Sequence, residues 1–312
     1  MDLVIVTVSY NTRDLLADCL QSVLAGLERS ALAGEVWVVD NDSADGSAEM
    51  VGQRFPQVHL VAHDENLGFA AGNNLALQAI KLGEDSRPRY VLFLNPDTRV
   101  QDDALGALVR FLDATPGAGA AGARLVHGDG SFQHSAFAFP GLSQIFLDLY
   151  PIHHRLLDSQ LNGRYPRRLY EAGRPFPVDH PLGAALMVRA KVLAQTGSFD
   201  EQFFMYCEEI DLCRRIQDAG WGVYCVPEAE VVHLVGQSSR QFRDKMYVAL
   251  WRSRFLMYDK HESALFRRVA RLLVGLGMGT ESRRARAAHR RGEISQEELA
   301  GRLAAYREVA AL

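Results

Sequence analysis

The sequence predicts an α/β fold built from parallel βαβ units. Three observations predict it. Short apolar, β-branched runs at 3–10, 35–40, 58–62 and 90–94 read as buried strands. Helical periodicity fills the stretches between and after them, at 12–24, in the helix that follows 66–74 and runs through Ile80, and at 104–112. Polar clusters follow the strand ends at Asn11, at Asp40 to Ser43, and at Asn95 to Asp97. Alternation of this kind implies right-handed crossovers, and ligands in such sheets sit beyond the carboxyl ends of the strands.

Each element has a local reason. Leu15, Leu16, Cys19, Leu20 and Val23 share one face of the first helix. The second strand, EVWVVD, runs into Asn41-Asp42-Ser43-Ala44-Asp45-Gly46-Ser47, a turn with a helix N-cap. The 66–74 stretch reads as a small-residue loop leading into a helix, and YVLFL at 90–94 ends at once in Asn95-Pro96-Asp97. Beyond 127 the pattern loosens, and 127–174 reads as loops and short elements. A strand is expected at 183–188, a short helix at 190–196, and a helix carrying Ile210, Cys213 and Ile216 that closes at Gly220. Strand-like runs at 223–226 and 230–233 precede amphipathic helices over 242–258, 263–278 and 294–312.

Composition bounds the function. With 312 residues, 48% hydrophobic and 23% charged, the chain can bury a large core. A net charge of −4 gives no reason to expect nucleic acid. Cys19, Cys207, Cys213 and Cys225 form no C-x-x-C pair, so reduced, buried thiols are expected and a zinc site is not. The N-terminus enters a strand directly and does not read as a signal peptide. No apolar run reaches the roughly 18 residues of a bilayer span. A cytoplasmic location is expected, with the inner face of the plasma membrane as an added option.

Chemistry concentrates in four places. A carboxylate at a strand tip, as at Asp97, suits an oxygen-loving divalent cation bridging diphosphate oxygens, although N-P-D is also ordinary turn chemistry. Asp40 to Ser43 offers acceptors and donors that could read a base and ribose, or simply cap a helix. Glu208, Glu209 and Asp211 crowd a helix start beside Phe203, Phe204, Met205 and Tyr206. Carboxylates partly desolvated by such a wall have raised pKa values and suit a general base, while a solvated first turn is the plain reading. His233 ends a strand and is either a surface histidine or a metal ligand.

Together the segments VTVSYN (6–11), VVDNDSADGS (38–47), NLGFAAGNN (66–74), FLNPDT (93–98), GAALMVRA (183–190), GSFDEQFFMYCEEIDLCRR (197–215) and VVHLVGQSS (231–239) resemble the family 2 glycosyltransferases, in their rhamnosyltransferase-like branch. The resemblance spans residues 1–260 in the expected order. It implies a GT-A fold: a nucleotide-sugar half at 1–125 continuous with an acceptor half at 126–240, followed by a helical extension at 241–312. It also implies an inverting transfer dependent on Mg²⁺ or Mn²⁺. By motif position, Val8 and Tyr10 lie near the base, Asp40 and Asn41 contact base and ribose, and Gly68 and Asn73 line the nucleotide-sugar site. Asn95 and Asp97 stand where the family has D-x-D, with Asp97 the better metal ligand and His233 completing the site. Glu209 stands where the family places its base, and Glu208 and Asp211 help place the acceptor. Two departures stand out: the first D-x-D carboxylate is Asn95, and the base position holds Glu where Asp is common.

The implied donor is a dTDP- or UDP-sugar, with dTDP-rhamnose leading and GDP-sugars open, and the acceptor is a glycan or lipid-linked saccharide. Aromatic and basic residues interleave over 241–261, and five arginines fall in 283–291. These helices suit contact with an anionic membrane, the catalytic body or a second subunit. A nucleotidyltransferase would want a basic, Gly-rich loop after the first strand, which Val8 to Asn11 does not supply. A non-catalytic nucleotide-sugar sensor would be expected to lack the acidic trio.

Overall fold

The computed structural model describes residues 1–81, 88–150, 152–234 and 243–312. The chain begins with β1 (Leu3–Ser9), α1 (Arg13–Arg29), β2 (Gly34–Asn41), α2 (Ser47–Arg54), β3 (His59–His63), α3 (Gly68–Ala79), β4 (Tyr90–Leu94), β5 (Thr98–Val100), α4 (Ala104–Ala114) and β6 (Ala118–Val126). Shorter elements follow: β7 (Phe132–Gln133), β8 (Ala136–Phe137), α5 (Leu142–Leu149), α6 (His154–Leu157) and α7 (Arg167–Glu171). The last part holds β9 (Phe176–Pro177), β10 (His180–Pro181), β11 (Ala185–Arg189), α8 (Ala190–Thr196), α9 (Glu208–Asp218), β12 (Gly222–His233), α10 (Arg243–His261), α11 (Ala264–Arg290) and α12 (Gln296–Ala310).

Two compact units emerge. The first comprises Met1–Ala138, Tyr165–Phe204 and Glu208–Ser238, and the second Phe139–Arg164, Met205–Cys207 and Ser239–Leu312. In the first unit one mixed sheet has the order β3-β2-β1-β4-β11-β6-β12-β5. β3, β2, β1 and β4 are mutually parallel, and β11 runs antiparallel to both β4 and β6. β12 is parallel to β6 and therefore runs in the same sense as β1. That direction brings the C-terminal tip of β12 to the edge that carries the tips of β1, β2 and β4. β1 and β4 are buried throughout, as strands covered on both faces must be.

The structure corrects three expectations of the sequence. Residues 68–74 are already helical as the first turns of α3, because the small residues let the helix lie close on the sheet: a Cβ on Gly72 would stand 2.9 Å from a Val8 methyl. β6 (AGAAGARLV) was not expected, since alanine and glycine carry little strand propensity. Its position explains the composition: a Cβ on Gly122 would meet Pro181 at 2.2 Å, so only glycine fits between those layers. The strand-like runs at 223–226 and 230–233 form one strand, whose register against β6 shifts between Val226 and Glu230.

The second unit is helical. Ile145, Leu149, Trp251, Phe255, Tyr258, Val274, Met278 and Val309 form its core. The basic run at 283–290 continues α11 as one 27-residue helix. Residues 235–239 of the final motif, and Phe242, lie outside the described residues.

Candidate active site

The tips of β1 and β2 are tied together by side chains. The Asn11 amide donates to Ser43 Oγ (2.9 Å), and Ala44 N–H donates to Asn11 Oδ1 (2.8 Å). Asn11 and Asp42 both adopt left-handed backbone, at φ 52° and 63°. Asn and Asp tolerate this region better than other side chains that carry a Cβ. Asp40 is 3% exposed and receives Ser43 N–H on Oδ2 (3.0 Å), while Oδ1 is buried with no partner. Asn41 donates to the Gly68 carbonyl (2.9 Å) and leaves its own Oδ1 unpaired. Buried acceptors are seldom left unpaired in native proteins, so these two oxygens are available to donors from a ligand or from water.

Gly68 opens α3 at φ +82°, and a Cβ there would fall 2.2 Å from the Phe204 carbonyl oxygen. That carbonyl accepts Phe69 N–H (2.8 Å), so the 203–204 segment clamps the start of α3. Val8 packs under Gly72, Tyr10 lies half-buried just past β1, and Asn73 donates to the Phe69 carbonyl (2.9 Å). Asn74 was not singled out by the sequence reading. It joins α3 to the 199–201 segment by donating to the Phe199 carbonyl (2.8 Å) and accepting Phe199 N–H (3.2 Å). Its place beside Asn73 in a small-residue run was the only signal.

The tip of β4 meets the tip of β12. His233 pairs in register with Thr98, and Leu234 N–H donates to the Asp97 carbonyl (2.9 Å). Asp97 Oδ1 and His233 Nε2 stand 3.5 Å apart, with both side chains under a tenth exposed. Gln133 on β7 places Nε2 3.0 Å from His233 Nδ1, and its Oε1 is buried without a partner. With the Gln133 amide turned over, its oxygen would accept His233 Nδ1–H and leave the imidazole Nε2 free to ligate. Nothing in the Gly-rich 127–174 stretch flagged Gln133.

Among the described residues no three His, Cys, Asp or Glu side chains gather as a metal cluster. The Asp97–His233 pair supplies one oxygen and one nitrogen donor. One carboxylate and one imidazole would suit a divalent ion that accepts both donors, such as Mn²⁺, better than the all-oxygen preference of Mg²⁺. Asn95 is half-buried, and its amide donates to the Ala184 carbonyl (3.0 Å).

The acidic helix start adjoins the same turn. A Cβ on Gly183 would lie 3.3 Å from Glu209 Cγ, so the Gly183 backbone lies against the Glu209 side chain. Residues 183–184 therefore touch Glu209 on one side and Asn95 on the other. Glu208 and Glu209 are 6% and 8% exposed, and each keeps Oε2 unpaired. Burial drives both pKa values up, that of Glu209 to about 7, and the Glu209 charge raises Glu208 further. Tyr206 and Cys207 immediately before them have φ of 72° and 66°, a strained conformation for side chains of this size.

Asp211 has a different part from the one expected of it. It is fully buried, and Oδ2 accepts Arg215 Nε at 2.8 Å. Arg215 in turn donates to the carbonyls of Thr196 (2.6 Å) and Ser198 (2.7 Å). The pair staples α9 to the end of α8, so this carboxylate is held by structure rather than offered to an acceptor. All four cysteines are buried, and none forms a disulfide.

Comparison with known proteins bears on the family and the fold. The chain is 30% identical over 271 residues to the N-acetylglucosaminyl-diphospho-decaprenol L-rhamnosyltransferase of Mycobacterium tuberculosis, covering 82% of this chain and 84% of that protein. It is 28% identical over 189 residues to the rhamnosyltransferase WbbL of Escherichia coli, covering 58% and 66%. Among solved structures, the mannosyltransferase PcManGT of Pyrobaculum calidifontis, in complex with GDP-Man and Mn²⁺, superposes with a TM-score of 0.55 at 17% identity, over 99% of this chain and 83% of that one. GalNAc-T7 with UDP, GalNAc and Mn²⁺ gives a TM-score of 0.54 at 15% identity, over 75% and 44%. These structures share the GT-A fold. The model of glycosyl transferase family 2 matches residues 4–190, from β1 through β11, and with the Mycobacterium tuberculosis relative it shows that the chain belongs to glycosyl transferase family 2.

Proposed function

We propose that this glycosyltransferase is inverting and metal-dependent, and that it moves rhamnose from dTDP-rhamnose to a hydroxyl of a lipid-linked saccharide at the cytoplasmic face of a membrane. The sugar and the acceptor class are taken from the relatives named for L-rhamnosyl transfer to a diphospho-decaprenol acceptor. The observation that carries the mechanism is Glu209: a buried carboxylate, pKa raised to about 7, one oxygen unpaired, set against the turn that also holds Asn95.

In this reading the unpaired oxygens of Asp40 and Asn41 accept donors from the base and ribose, near Val8 and Tyr10. Gly68 and Asn73 let the nucleotide sugar approach α3. Asp97 and His233 would hold a divalent ion, which would supply charge neutralisation for the departing diphosphate. Glu209 removes the proton of the acceptor hydroxyl, and that oxygen bonds to the anomeric carbon from the face opposite the diphosphate. The bond from the anomeric carbon to the diphosphate oxygen breaks, and nucleoside diphosphate leaves. Glu208, whose pKa is raised by burial and then by the Glu209 charge, is suited to hydrogen-bond the acceptor. The Glu209→Gln variant is expected to bind dTDP-rhamnose as the parent does and to lose transfer. Near-parental turnover in that variant would remove Glu209 from the role of base. Donor binding without transfer in the parent, across lipid-linked acceptors, would leave a binding protein instead.

A further inference from the structure

The second unit carries six of the eight large apolar side chains that stand exposed among the described residues: Phe146, Ile152, Leu161, Leu265, Leu272 and Leu276. Three of them share α11. Leu265, Leu272 and Leu276 are 72%, 62% and 57% exposed. Their spacing of seven and four residues places them on one face of the helix. Continuing by sevens, the same face carries Arg283 and Arg290, with Arg268 and Arg286 one turn to its side, and all four are exposed. The opposite face, through Ala270, Val274 and Met278, is buried in the core of the unit.

The charge is one-sided. Residues 264–291 contain eight arginines and a single carboxylate, Glu281, in a chain whose net charge is −4. Glu281 lies off the leucine face and pairs with Arg284. Arg267 and Arg271 are taken by Asp259 (3.6 and 3.1 Å). Among the described residues Arg268, Arg283, Arg286 and Arg290 form no ion pair. So the arginines left over are the ones beside and beyond the exposed leucines. Among the described residues no helix is long and apolar enough to cross a membrane, and one about 40 Å long with leucines along half its outer face and arginines along the rest suits lying in a bilayer surface.

We infer that this face of α11 docks on an anionic lipid bilayer: Leu265, Leu272 and Leu276 enter the acyl boundary, and Arg268, Arg283, Arg286 and Arg290 meet lipid phosphates. Charge complementarity selects this occupant over a second copy of the chain, whose identical arginine row would repel its own. The inference rests on the proposed function only for its purpose, which is to bring the enzyme to a lipid-linked acceptor.

Vesicle co-sedimentation without donor or acceptor tests the surface separately from the chemistry. The full chain is mixed with phosphatidylcholine vesicles and with vesicles of equal phosphatidylcholine and phosphatidylglycerol. Binding is expected to favour the anionic vesicles at least about tenfold and to weaken in high salt. Leu272→Glu/Leu276→Glu and Arg283→Glu/Arg286→Glu/Arg290→Glu are each expected to lose at least about tenfold, with unchanged circular dichroism and melting. Should the glutamates disturb the fold, Leu272→Ser/Leu276→Ser repeats the test. Equal binding to both vesicles, no binding, or full binding by the variants overturns the inference. So does a concentration-dependent dimer that Leu272→Glu disperses in a chain that ignores vesicles. Sugar release from the donor is read independently, so loss of either property identifies which reading has failed.

Discussion

Glu209→Gln should do two opposite things at once. Burial moves this carboxyl from 4.5 to about 7, so in the folded protein it resists ionisation that the unfolded chain accepts freely. A group raised in this sense lends full stability below its unfolded pKa and loses it as pH climbs through the folded value. The displacement corresponds to roughly 3 kcal/mol by pH 8.5, shared with the neighbouring Glu208. Glutamine keeps the shape and carries no charge, so the variant should match the parent at pH 4.5 and melt several degrees higher at pH 8.5. Transfer should meanwhile fall about 10²–10⁴-fold with donor affinity unchanged, the usual cost of removing a general base. In the parent, kcat/KM should rise with pH, bend near 7 and then level. Differential scanning fluorimetry across pH, isothermal titration with the donor, and steady-state kinetics cover the three claims. A variant that gains nothing in melting temperature between pH 4.5 and 8.5 would refute the burial argument. A retained rate would refute the base assignment.

Other substitutions probe the remaining parts. Asp97→Asn should weaken Mn²⁺ binding, measured by electron paramagnetic resonance in the presence of nucleoside diphosphate, and Gln133→Leu should weaken it about 10–100-fold through the orientation of His233. Gly68→Ala forces a left-handed alanine against the Phe204 carbonyl. It should cost more than the ~1–2 kcal/mol of the backbone conformation alone, read as a lowered denaturant midpoint. Arg215→Ala leaves Asp211 charged and buried, and should cost about 3–5 kcal/mol, whereas Asp211→Asn with Arg215→Gln should recover part of it.

Strands with β-branched or aromatic side chains were legible in the sequence: β4 spans the expected residues, and β1 and β2 differ by one at an end or two. The helix α8 matched in the same way, between a strand and a glycine. β6 escaped because its strand character comes from the neighbours that need it thin, and a local reading sees only alanine and glycine. Asp40, Asn41 and Asp97 were legible as polar positions because an apolar run stops at each, and Glu209 because acidic residues crowd the start of α9. The partners of those residues were not. Gln133 reaches His233 across 100 residues of chain, and Asp211 looks like its neighbour Glu208 until the position of Arg215 is known.

Placing His233 at the tip of the last strand also sets an order on biosynthesis. Asp97 is made early, but its partner arrives only when β12 enters between β6 and β5. Closing so long a loop comes late in folding, because its entropy must be spent before any contact across it forms. A chain still emerging from the ribosome can therefore assemble β1 to β4 and present Asp40 and Asn41 while His233, the partner of Asp97, is still absent. Fragments ending before residue 222 should be unable to split the donor, so unfinished molecules would not squander activated sugar.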